Sequence, residues 1–122
     1  MGQTTITLSG RGLKHLGAPN LVISVTATVN VEADRARRTV TGWLLDQVGN
    51  LLVGGLPQLV IGKQTVWRVP VLLGSTSTGI VGEVDTIDVD AETGQMLITD
   101  ELPQRILSHA QTLASSSSTT NR

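Results

Sequence analysis

Leu21, Ile23, Val25, Ala27, Val29 and Val31 alternate with Ser24, Thr26, Thr28 and Asn30. A period of two sends alternate side chains to the same face, so this stretch predicts a strand with one face buried. Val22 interrupts the polar side. From Ala33 the period lengthens: Ala33, Ala36, Val40, Trp43, Leu44, Val48 and Leu51 recur at three and four residues, as one apolar stripe of a helix does. Asn30 or Asp34 is placed to cap its start, and Gly49-Asn50 or Gly54-Gly55 to end it.

Strand spacing returns after Pro57, with Leu59 to Ile61, a turn at Gly62-Lys63, and Thr65 to Leu73, where Trp67, Val69, Val71 and Leu73 share a face. Pro70 has no N–H for a ladder, so its amide side is expected at an edge or a bulge. A loop from Gly74 to Gly79 leads to a strand from Ile80 to Val89. Its apolar phase moves from Ile80 and Val84 to Ile87 and Val89, which predicts a bulge near Asp85-Thr86.

The strand ends in the most informative segment of the chain. Ile87 and Val89 point to one face, Met96 and Ile98 to one face of the returning strand, and Asp90-Ala91-Glu92-Thr93-Gly94 must form the turn. The Asp90 carboxylate can accept from turn amides, Thr93 falls within the loop, and Gly94 suits a left-handed backbone. Leu102, Ile106, Ala110 and Leu113 then make a second helical stripe over Glu101 to Leu113, with Asp100 as cap and Pro103 in the first turn. The domain is expected to span residues 21–114, preceded by a poorly specified arm at 1–20 and followed by a disordered Ser/Thr-rich tail at 115–122. The fold class is α+β: a helix on a small antiparallel sheet, with an additional N-terminal strand and a C-terminal helix.

The helix, two strands and closing hairpin resemble the PepSY family, small domains in which a helix packs on a short antiparallel sheet. The resemblance covers about Ala33 to Ile98 and rests on the helix register, on Trp67-Arg68-Val69-Pro70-Val71 and above all on the hairpin Ile87 to Leu97. It implies an inhibitory or interaction module without catalytic residues. Members of that family are mostly secreted or membrane-attached, whereas this chain opens without a basic and apolar leader.

Composition narrows the remaining classes. The 122 residues suit one domain, and the absence of Cys removes disulfides and thiolate metal sites. Nine basic and ten acidic residues give a net charge of -1, and the only aromatics are Trp43 and Trp67, so neither electrostatics nor stacking favours nucleic acid. The longest apolar stretch, Asn50 to Ile61, is cut by Gly54, Gly55 and Pro57, well short of the roughly 20 residues a spanning helix needs. A cytoplasmic protein without membrane contact is expected.

Candidate chemistry is sparse. Asp85, Asp88, Asp90 and Glu92 suggest a calcium loop, but Thr93 and Thr99 stand where an EF-hand counted from Asp88 needs Gly and Glu. His15 and His109 have no metal-site spacing, no Ser sits in a nucleophile motif, and Gly10-Arg11-Gly12-Leu13-Lys14 lacks the ending of a phosphate loop. Arg35, Arg37 and Arg38 place positive charge at a helix start, where the macrodipole disfavours it. No enzyme activity, cofactor or metal is expected. Trp43 and Trp67 are expected to meet in the core, and Val22, Val66 and Leu72 to face away from it as a candidate interface. The expected role is a non-catalytic interaction or assembly module that binds itself, as a dimer, or another protein; the alternative is a small-ligand or metal-binding domain using the concavity between helix and sheet.

Overall fold

The computed structural model describes residues 3–10, 21–49, 51–77 and 79–119. Two antiparallel strands, β1 (Gln3–Gly10) and β2 (Leu21–Thr28), form a ribbon of their own. Helix α1 (Ala33–Gln47) leads into β3 (Leu52–Gly54), β4 (Gln58–Val60), β5 (Val66–Ser75), β6 (Gly79–Asp90), β7 (Met96–Leu97) and α2 (Leu102–Thr119). In the five-stranded sheet, β5 lies between β6 and the shared row of β3 and β4, while β7 flanks β6; every pairing is antiparallel. The architecture is α+β.

The period-two pattern of β5 becomes the core. Val69 and Val71 are fully buried beside Ile87 and Val89 of β6, with Ala36, Val40 and Leu44 of α1 and Leu102, Ile106 and Ala110 of α2 in the same cluster. Both helices therefore cover one face of the sheet. Trp43 and Trp67 are half-buried at its margin, and the Trp67 indole Nε1 donates to the Val31 carbonyl at 2.7 Å. Close helix–sheet approach explains Gly54: a Cβ there would come within 2.9 Å of the Arg37 carbonyl, and its amide donates to Thr41 Oγ1 at 2.9 Å.

Several expectations change. The additional N-terminal strand, expected from Leu21 to Val31, covers Leu21–Thr28 and pairs with β1 rather than with the main sheet, so the arm at 1–20 holds a strand of eight residues. The cap of α1 is Glu32, without a side-chain bond, because the Asn30 amide reaches the Glu92 carbonyl instead at 3.4 Å. Val48 and Gly49 both donate to the Leu44 carbonyl at 2.9 Å, ending the helix at the first of the two glycine signals. Helix α2 runs to Thr119, past the start of the expected tail, since no Pro or Gly follows Pro103 of its first turn.

Pro70 sits in a central strand rather than at an edge. Its carbonyl accepts from Gly55 at 2.8 Å, and in an antiparallel ladder the N and O of one residue point to the same side. The missing N–H thus faces the break between β3 and β4. Strand β6 carries two irregularities: Val71 opposes Asp85 and Leu72 opposes Glu83, leaving Val84 as the extra residue beside the expected Asp85-Thr86 position, and Leu73 opposes Gly82 while Gly74 opposes Ile80, leaving Val81 as a second.

Candidate interaction surface

Cross-strand partners share a face, so the register defines what lies opposite the helices. Leu72 sits with Val53 and Glu83, Arg68 with Gln58 and Asp88, Pro70 with Thr86, and Asp88 with Leu97. No helix among the described residues packs on this face. Leu97 is 41% exposed and Ile80, which pairs with Gly74, is 57% exposed. The central charge is neutralised locally: Arg68 grips Asp88 through Nε–Oδ1 at 2.9 Å and NH2–Oδ2 at 3.1 Å, a bidentate pair that raises the guanidinium pKa.

The three candidate interface positions fare differently. Leu72 is half-buried against Pro70 and Gly55, where a Cβ on Gly55 would lie 2.9 Å from its Cδ1. Val66 is only 5% exposed within the single chain and has almost no area to offer a partner. The side chain of Val22 lies outside the described residues, as do His15 and the Arg11-to-Lys14 segment.

Among the described residues, recesses flank the sheet at several places. Arg68, Thr86, Asp88, Leu97, Leu102 and Arg105 line a shallow groove of about 470 Å³ beside β6. Leu51, Val53, Gly74 and Ile80 form an apolar depression of about 260 Å³ at the far end of the same sheet. A polar cleft of about 280 Å³ separates Thr26 and Thr28 from Lys63, Gln64, Asp90 and Glu92. Between helices and sheet, side chains from both layers fill the space, with Val40, Leu44, Val69 and Ile106 fully buried.

The Asp90 turn forms as its residues require. Asp90 Oδ1 accepts from the amides of Glu92 at 2.8 Å and Thr93 at 3.0 Å, Gly94 donates to the Asp90 carbonyl at 2.8 Å, and Gln95 donates to Thr93 Oγ1 at 3.2 Å. Gly94 has φ of 82°, the left-handed region that a Cβ disfavours. Gln64 donates to Asp90 Oδ2 at 2.7 Å, and this bond, with those from Thr93 and Glu92, holds the carboxyl below its ordinary range. The turn also anchors its neighbours: the Ala91 carbonyl accepts from Asn30 and Val31, and the Ala91 amide donates to Thr65.

The acidic run does not converge on a cation site. Asp88 meets Arg68 on the open face, Asp90 caps the turn, and Asp85 points toward α2. There Asp85, with its side chain 12% exposed, meets Arg105 Nε at 2.9 Å and His109 Nδ1 at 3.3 Å. Burial pushes its carboxyl up, but hydrogen bonds from Arg105 and the Thr86 amide and the adjacent positive charge outweigh that and leave it lowered. The sequence reading missed this cluster. Its signal was Arg105 and His109 four residues apart on α2, one helical turn, facing an acid at an inward strand position. At the start of α1, Asp34 pairs with Arg37 at 2.7 Å and Arg38 at 2.9 Å, which offsets the charge expected to oppose the dipole. No described helix is long and apolar enough to cross a membrane. Compared against protein families, curated proteins and solved structures, the chain has no match.

Proposed function

We propose that this chain is a non-catalytic, self-associating interaction module of the cytoplasm, whose PepSY-like portion supplies the assembly surface. The observation that carries the reading is the asymmetry of the sheet: α1 and α2 share one face, and the other presents Val53, Leu72, Ile80 and Leu97 around the single ion pair Arg68–Asp88. Apolar groups spread across an uncovered sheet face gain from burial against a second copy, and a two-fold axis lets the same patch serve both partners. The neutralised Arg68–Asp88 pair lowers the cost of desolvating the centre of such a contact. An absence of Cys and a net charge near zero agree with an intracellular protein–protein role.

The deciding experiment is light scattering coupled to size exclusion on the native chain and on a Leu72→Lys/Leu97→Lys variant. The native chain is expected as a dimer and the variant as a folded monomer. A native chain that stays monomeric at high micromolar concentration would overturn the reading.

A further inference from the structure

We infer that the Asp85–Arg105–His109 cluster is an edge guard: side chains from β6 and α2 occupy the backbone groups that a pairing strand would use. The need arises from the shortness of β7. It pairs with β6 only at Asp88 and Val89, so the row from Gly79 to Ile87 has β5 on one side and no described strand on the other. Unpaired strand edges of that length recruit other strands.

The register shows which groups face outward. Pro70 turns its carbonyl toward Gly55, away from β6, so Thr86, directly opposite Pro70, is at a non-hydrogen-bonded position and turns its own N–H and C=O away from β5. That outward N–H is taken by Asp85 Oδ1 at 2.9 Å. Val84, the extra residue of the bulge, has no cross-strand partner, and its carbonyl accepts from His109 Nδ1 at 3.0 Å. Arg105 completes the arrangement by gripping both Asp85 oxygens, Nε to Oδ2 at 2.9 Å and NH2 to Oδ1 at 3.2 Å, which fixes the carboxylate over the Thr86 amide.

The guard therefore satisfies one donor and one acceptor in the centre of the open row and fastens the turn of α2 that bears Ile106 and Ala110 beside it. Exposed Glu83 adds a negative charge to the same row. With the guard in place a second copy that brings its own β6 there finds the central hydrogen-bonding groups already used. Assembly through the open face does not use Asp85, Arg105 or His109, which lie on the helix side, so the cluster stands apart from the proposed dimer.

The test removes the guard and then restores the block by another route. An Asp85→Ala/His109→Ala variant frees the Thr86 N–H and the Val84 carbonyl. It is expected to associate beyond the native species, with about a two-fold rise in weight-average mass by sedimentation and a gain in strand signal in the infrared. Adding Thr86→Pro should return it to native size, since Pro removes only an outward donor at this position. Overturning results are a double variant that stays folded at native mass, or association that survives Thr86→Pro. Should the double variant not fold, amide exchange in Asp85→Asn decides: faster exchange at Thr86 supports the guard, and unchanged protection there refutes it.

Discussion

The two faces of β5 obey the same alternation but carry different duties. Val69 and Val71 are fully buried in the cluster that the two helices share with the sheet, whereas Arg68, Pro70 and Leu72, one residue out of phase, have only strand and turn residues such as Asp88, Thr86, Val53 and Gly55 beside them. Strand pattern alone does not separate a face that builds the fold from one that is free for a partner. What separates them is the second layer, and both helices arrive on the same side.

Substitutions on the two faces measure that difference. Ile106→Ala leaves a hole under α2 at a fully buried position and should cost about 2–5 kcal/mol, while Leu72→Ala on the other face should cost about 1 kcal/mol or less in the isolated chain. Paired denaturant titrations check this, and equal losses would show that the open face is core. Next in size is Gly94→Val. Its φ of 82° and a Cβ contact of 3.3 Å with Val31 Cγ2 predict a loss of about 1–3 kcal/mol, visible as a lower melting temperature.

The smallest effect is acid sensitivity. Asp85 on the helix side and Asp90 in the turn both have lowered carboxyl pKa values. A carboxyl lowered on folding contributes stability above its unfolded value of about 3.9, and that contribution fades as pH falls through the folded value. Melting temperatures should thus hold from neutral pH down to about 4 and drop below it. The drop should shrink in Asp85→Asn and in Asp90→Asn separately; a variant that leaves the acid limb unchanged would clear its carboxyl of the effect.

The elements that were legible in the sequence are those whose periodicity serves one buried face. The α1 stripe from Ala36 to Leu44, the α2 stripe and the β5 face from Trp67 to Leu73 appear where the spacing put them, and the Asp90–Gly94 turn follows from local backbone chemistry, whereas Leu51, expected on the α1 stripe, lies beyond the helix end and is exposed. The missed features depend on partners distant in sequence. Strand β3 is three residues within a glycine-rich stretch, and Gly54 is explained only by the helix 13 residues earlier whose Thr41 reaches its amide. Pro70 called for an edge or a bulge on its amide side, and nothing local reveals that the opening is instead a break in the neighbouring row. Val66 belongs by parity to the open face, yet it is buried, a result of packing rather than of period. Of the open face, Leu72 was the one position anticipated, while Val53, Ile80 and Leu97 were not, nor was the Asp85 cluster, which needs β6 and α2 side by side.

Because the chain has no Phe or Tyr, its near-ultraviolet optics belong to two indoles, Trp43 in α1 and Trp67 in β5. They sit in different layers, and only Trp67 has an indole N–H bonded to the segment that joins the ribbon to α1. Single-indole versions therefore turn the molecule into its own two-channel spectroscopic probe, one channel following the helix and the other the seating of that connecting segment.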